Sequence, residues 1–214
     1  MSTALYIDCD GTLCTLSSSY EELVAIACQQ VGVEADPGPL SGTYSQGFFD
    51  AFTSFKPDPY LHGSREAFAE HDIDGDPSAF AEALVTAELE HTVVEDDVAE
   101  TLGSLAEDAS LGVLTNGVAD VQRRKLERHD LFERFDAFLP SYEVGSHKPD
   151  PAIFEAARER LSADEYIYVG DSLESDIEPA REAGFLPVHL DRSNEARAIS
   201  IDRLATLGRA ADLL

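Results

Sequence analysis

Thr3-Ala-Leu-Tyr-Ile7 runs straight into Asp8-Cys-Asp-Gly-Thr-Leu13, and this junction decides the fold. Five consecutive weakly polar or apolar residues ending in an acid are the pattern of a strand buried on both faces, as in a parallel sheet. The same pattern recurs downstream. Ser110-Leu-Gly-Val-Leu114 ends at Thr115, Tyr166-Ile-Tyr-Val169 ends at Gly170-Asp171, and Phe185–Leu190 and Phe135–Leu139 supply two more apolar runs. Helical stretches lie between them. Asp97–Glu107 puts Val98, Leu102, Leu105 and Ala106 on one face, Val118–His129 opens after a glycine, Pro149-Asp-Pro151 opens a third, and Leu173–Ala183 stops at Gly184. Strands alternating with helices predict an open α/β sheet.

Residues 15–92 break this rhythm. They show no strand pattern and read as helices separated by Asp36-Pro-Gly-Pro39, Lys56-Pro-Asp-Pro59 and Asp72-Ile-Asp-Gly-Asp-Pro77. Tyr44, Phe48, Phe52 and Phe55 recur at helical spacing and predict a small aromatic core. The expected organisation is therefore a core of residues 1–14 and 93–214 interrupted by a helical insert, 15–92.

The chain of 214 residues carries 42 acids against 15 bases, a formal charge of −27. Nucleic acids and anionic membranes both select basic footprints, so neither is an expected partner. No apolar run approaches the roughly 18 residues of a membrane helix, and Met1-Ser2-Thr3-Ala4 lacks the basic and apolar blocks of a secretion signal; a cytoplasmic protein is expected. Cys9, Cys14 and Cys28 are odd in number and include no CxxC pair, which argues against a disulfide framework or a zinc site. Only Lys56, Lys125 and Lys148 are lysines. Many dispersed acids with so few lysines suggest a halophilic protein, whose surface repulsion is screened by salt.

Ligands of open α/β sheets bind beyond the carboxyl ends of the strands. Asp8, Asp10, Thr115, Asn116 and Asp171 all fall there, and Lys148 precedes a helix. Carboxylates converging in one crevice repel unless a cation joins them. Oxygen-only donors favour Mg²⁺, which commonly also takes a substrate phosphate oxygen.

Four motifs in order resemble those of the haloacid dehalogenase (HAD) superfamily: Asp8-Cys-Asp-Gly-Thr-Leu13, Leu114-Thr-Asn-Gly117, Lys148-Pro-Asp-Pro151 and Gly170-Asp-Ser-Leu-Glu-Ser-Asp176. The resemblance covers essentially the whole chain. It implies a Rossmann-like, three-layer α/β core with a mainly parallel sheet, and a small all-helical cap inserted after the first motif. It implies that Asp8 is the nucleophile and that Asp10 is the acid and base. Nearby apolar or anionic groups are then expected to raise the pKa of Asp10. Thr115, the Asn116 backbone and Lys148 would hold the phosphoryl group. Mg²⁺ would bind Asp8, the backbone carbonyl of Asp10 and Asp171, with Asp176 a further ligand or an anchor behind them.

The implied function is hydrolysis of a small phosphate monoester through an aspartyl-phosphate, by a monomer or homodimer whose cap opens and closes. Asp10 disfavours a 2-haloacid dehalogenase, since the superfamily's dehalogenases lack an acid there. A phosphomutase of the same fold is the nearest alternative. A receiver-like signalling module is more distant, being shorter and phosphorylated on a middle strand. Residues 15–92 hold two bases, Lys56 and Arg65, against fourteen acids. That balance favours a neutral or cationic remainder on the substrate, with His62 the third polar group of interest. In a chain with so few lysines, keeping Lys148 inside a motif favours a functional role for it, although Lys56 and Lys125 show that retention is not proof.

Overall fold

The computed structural model describes residues 2–190. The expected core span runs on to 214, and residues 191–214 lie outside the described residues. The strands are β1 (Thr3–Ile7), β2 (Thr15–Leu16), β3 (Thr92–Val93), β4 (Ser110–Thr115), β5 (Ala137–Pro140), β6 (Glu165–Gly170) and β7 (Leu186–His189). The helices are α1 (Tyr20–Val31), α2 (Pro37–Thr53), α3 (Pro59–Glu70), α4 (Pro77–His91), α5 (Val98–Leu105), α6 (Ala119–Arg128), α7 (Ser141–Val144), α8 (Pro151–Arg160) and α9 (Glu178–Glu182).

Five strands form one sheet in the order β5-β4-β1-β6-β7, every pair parallel. The first strand lies at the centre because its residues are buried on both faces. Leu5 and Ile7 pack with Leu102, Leu105 and Leu126 from α5 and α6. Ala4 and Tyr6 pack with Ile153, Phe154, Ala157 and Ala180 from α8 and α9. Helices thus cover both faces, the Rossmann-like arrangement expected. On either side of β1 the chain proceeds in opposite directions across the sheet, which opens a crevice at the strand ends.

The residues divide into two compact units, Leu16–Val93 and the remainder. Within the first, α1 to α4 enclose a core of Leu23, Leu40, Tyr44, Phe68, Phe80 and Leu84. Each helix begins on a polar cap: Ser19 makes a capping box with Glu22, and Asp36, Asp58 and Asp76 each accept a backbone N–H just ahead of a proline-led helix. Tyr44 is buried and stacks on Phe48, which stacks on Phe52, as their spacing predicts. His62 faces Glu66 at 3.3 Å.

Two expectations need correction. The stretch 15–92 is not strand-free: β2 and β3 pair at its two ends. Two residues are too few to leave a period-2 pattern. The helix expected over 173–183 is not continuous. It opens as a π-helical turn, Leu173–Ile177, and only then becomes α9. The wide first turn carries Asp176 into the interior, where it is 1% exposed. The expected stop is present, with Gly184 left-handed at φ 81° and Phe185 N–H bonding the Ala180 carbonyl.

Candidate active site

Asp8 leaves β1 with its N–H still bonded to the Val169 carbonyl at 2.9 Å, so the sheet itself aims the carboxylate out of the strand end. Gly11 then reverses the chain at φ 84°. A Cβ there would stand 2.4 Å from Asp171 Oδ2, so glycine is also what lets Asp171 approach. Asp8, Asp171 and Asp176 bring carboxylate oxygens within 4.8 Å of one another.

Lys148 Nζ reaches into this cluster, 2.9 Å from Asp8 Oδ1 and 2.6 Å from Asp176 Oδ1. It also donates to the Tyr168 hydroxyl at 2.8 Å. That hydroxyl lies 3.0 Å from Asp176 Oδ1 and 3.1 Å from the Leu114 carbonyl, one of which takes its proton. Asp176 Oδ2 accepts the Ser172 N–H at 3.0 Å, so both its oxygens are engaged and its side chain does not face solvent. Burial works to discharge Lys148, but Asp8 and Asp176 outweigh it and raise its pKa. Burial pushes the Asp8 carboxyl up to about 6, with Lys148 pulling it down and Asp176 pushing it further up. Asp8 Oδ1 is buried and, although close to the ammonium, receives no well-aligned hydrogen bond among the described residues.

Three carboxylates around one ammonium leave an excess of two negative charges. All the donors are oxygens, and one of them is poorly satisfied. These residues fit a hard divalent cation. Asp10 is not in this cluster by its side chain. Its carboxylate is taken up by Lys125 and Gln122 instead.

The surroundings of Asp10 overturn the expectation of a raised pKa. Lys125 Nζ lies 2.9 Å from Oδ1, and Gln122 Nε2 donates to Oδ2 at 2.7 Å. Crowding by protein atoms pushes this carboxyl up, but Lys125, Gln122 and the Cys14 thiol outweigh it and the net direction is down. Both α6 residues are buried, whereas the Asp10 side chain keeps 48% of its surface exposed. Sequence reasoning missed Lys125, Gln122 and Tyr168. Lys125 sits between Arg124 and Arg128, in what reads as a basic outer face, and Tyr168 reads as plain strand.

Thr115 is buried at the end of β4, where its Oγ1 accepts from Gln122 Nε2 at 3.1 Å. Asn116 spends its side chain on the main chain of Lys148, donating to the carbonyl (2.9 Å) and accepting the N–H (2.8 Å). The phosphate contact expected of Asn116 names its backbone, and its side chain is engaged elsewhere. Its side chain ties the second motif to the third, and this bond sets where Lys148 begins. Cys9 is fully buried in the core, 3.6 Å from Cys14 Sγ.

Comparisons with known proteins bear on the fold and the family. A family model described as haloacid dehalogenase-like hydrolase matches residues 3–184. A ribulose-1,5-bisphosphate 5-phosphatase from Halopiger xanaduensis is 32% identical over 220 residues, 96% of this chain and 92% of that protein. Among solved structures, a HAD phosphatase from Thermococcus onnurineus superposes with a TM-score of 0.64 at 24% identity, over 94% of this chain and 92% of that one. A 2-haloacid dehalogenase from Pseudomonas syringae pv. Tomato DC3000 gives 0.67 at 22% identity, over 100% and 99%. The fold is thus common to phosphatases and dehalogenases. The chain belongs to the haloacid dehalogenase-like hydrolases and, on its relatives, is an enzyme of that family's phosphatase kind.

Proposed function

We propose that the enzyme hydrolyses a small phosphate monoester in two steps, with Mg²⁺ as cofactor. The observation that carries this is the separation of Asp8 from Asp10. One carboxylate shares a cluster with Asp171, Asp176 and Lys148, and the other, two residues on, is held apart by Lys125 and Gln122. A nucleophile and a proton-transfer group need this division of environments.

Asp8 and Asp171 would hold the cation, with the Asp10 carbonyl, while Asp176 sits behind them and fixes Lys148. When bound, the cation supplies Lewis-acid neutralisation of the phosphoryl oxygens. An Asp8 carboxylate oxygen attacks phosphorus and the P–O ester bond breaks. The leaving alkoxide takes a proton from Asp10. Asp10 then takes a proton from water, the resulting hydroxide attacks the aspartyl-phosphate, and inorganic phosphate leaves with Asp8 restored. Asp10 is held ionised in the free enzyme, so its proton must arrive with the substrate. A dianionic phosphoryl group beside it raises its pKa and favours that uptake. Lys148 and Thr115 hold the transferring group.

A 2-haloacid dehalogenase needs no proton donor two residues beyond its nucleophile, and the built environment of Asp10 stands against that reading. A phosphomutase differs only in the acceptor, and product analysis with a hexose phosphate separates it. For the substrate, the acidic stretch 15–92 favours a neutral or cationic remainder, whereas the Halopiger relative is named for a bisphosphate. We also propose that the acidic surface is adapted to high salt.

The test is a panel of sugar mono- and bisphosphates, amino-alcohol phosphates and 2-chloropropionate, with Mg²⁺ in molar KCl. Phosphate release that stops with EDTA and in Asp8→Asn is expected. Halide release without phosphate release, or near-wild-type turnover by Asp8→Asn, would sink the proposal.

A further inference from the structure

We propose that Lys125 and Gln122, one turn apart on α6, are positioning residues that fix the direction of the Asp10 carboxylate toward the leaving group. Positioning of this kind has a purpose only if Asp10 transfers the proton, and so it rests on the function proposed above.

The two side chains do not duplicate one another. Lys125 takes Oδ1 and Gln122 takes Oδ2, so the carboxylate is gripped at both ends and cannot turn about its last bond without breaking one contact. Gln122 does more. The same Nε2 lies 3.1 Å from Thr115 Oγ1 and 3.4 Å from the Asn116 carbonyl, which joins the proton-transfer residue to the loop after β4. The chain makes room for it: a Cβ on Gly117 would stand 2.4 Å from Gln122 Cγ. The glycine of the second motif is thus the space in which Gln122 lies.

A purely structural role explains these residues poorly. Lys125 is 4% exposed and Gln122 2%, while their partner Asp10 is open to solvent. Burying a lysine and an amide against a half-exposed carboxylate gains little stability from that contact, because water would serve the carboxylate as well. Gln122 Oε1 is moreover buried without a hydrogen-bond partner among the described residues, a loss that an apolar side chain would avoid. What the arrangement does deliver is direction. A proton donor misplaced by about an ångström loses on the order of 10²-fold in rate.

The test exploits the leaving group. Nitrophenolate departs from p-nitrophenyl phosphate without a proton, whereas glycerol 2-phosphate must be protonated as its bond to phosphorus breaks. Rapid-quench rates of phospho-enzyme formation are measured on both, in Mg²⁺ and molar KCl. In Lys125→Met the rate on glycerol 2-phosphate is expected to fall by about 10²-fold, that on p-nitrophenyl phosphate by less than about threefold, with KM little changed. Lys125→Arg is expected to recover most of the loss. Equal losses on the two esters, or less than a threefold loss on glycerol 2-phosphate, would overturn the proposal. If Lys125→Met does not fold, Gln122→Leu carries the same comparison with the same two outcomes. Asp10→Asn separates the two levels. If it fails to discriminate between the esters, the role of Asp10 fails; if it discriminates and the α6 variants do not, only the positioning role fails.

Discussion

Two of the three lysines are buried within the same crevice, and each holds one of the two aspartates of Asp8-Cys-Asp10. Their surroundings are opposite in kind. Lys148 comes from the side of the sheet covered by α8 and α9, and faces Asp8, Asp176 and the Tyr168 hydroxyl with Asp171 close by. Lys125 comes from the side covered by α5 and α6, and faces Asp10, with Gln122 sharing the load. The first group is short of positive charge and the second is balanced. A balanced pair is complete as it stands. An unbalanced cluster needs a divalent cation and an anionic substrate to offset each other inside it.

The largest expected effect comes from removing each lysine in turn. Lys148→Met leaves buried carboxylates uncompensated, a loss of about 3–5 kcal/mol, or a fall in Tm of roughly 10 °C. Lys125→Met leaves a half-exposed carboxylate that water can serve, so its Tm should fall by less than half as much. Thermal denaturation of the two variants in EDTA checks this. Equal losses would remove the distinction between the two environments.

Asp8→Asn should show a smaller shift of the opposite sign. The folded-state pKa of Asp8 is about 6, above its ordinary 3.8. The stability that its neutral form contributes is therefore complete below about pH 4 and lost as pH rises through about 6. At pH 7 the metal-free wild type carries an ionised, desolvated Asp8 that the amide removes. Asp8→Asn should thus melt a few degrees higher than wild type at pH 7 in EDTA, and the gap should close toward pH 4 if both proteins remain folded there. A variant that melts lower at pH 7 would mean that Lys148 more than compensates the buried charge.

The same titration sharpens the account of the cation. Below about pH 6 the ion must displace a proton from Asp8, so Mg²⁺ affinity should weaken by up to about tenfold per pH unit. Calorimetry between pH 5 and 8 reads this directly, and a flat profile would take Asp8 out of the ligand set. Salt should act least on this site and most on the surface. With 42 acids against 15 bases, Tm should rise steadily from dilute buffer to molar KCl, while the Tm difference between the two lysine variants stays nearly constant.

How far the sequence goes follows the same division. On the Lys148 side, Asp8 and Asp171 were legible because they sit at strand ends, where an acid after an apolar run stands out. Asp176 was legible as a site residue but not as a buried one, since the π-helical turn that carries it inward has no sequence pattern of its own. On the Lys125 side, Asp10 and Thr115 were legible in the same way, but the α6 residues that hold them were not. Gln122 and Lys125 occupy interior positions of an amphipathic helix whose neighbours Arg123, Arg124 and Arg128 make it read as a solvated basic face. Their partner lies 112 to 115 residues away in the chain. That hidden contact is why the pKa of Asp10 runs opposite to expectation. Local pattern reveals which residues end an element; it does not reveal what folds over them.

The central claim is that the carboxylate in the unbalanced cluster, and not its neighbour two residues on, becomes covalently phosphorylated. Acid-quenched enzyme from a turnover mixture, reduced with borohydride and mapped by peptide mass spectrometry, tests this directly, because reduction converts an aspartyl-phosphate to homoserine. Homoserine at position 8 with Asp10 unchanged is the expected result. Homoserine at position 10, or an unmodified peptide 1–20 from an enzyme that is turning over substrate and accumulates phospho-enzyme by rapid quench, would contradict it.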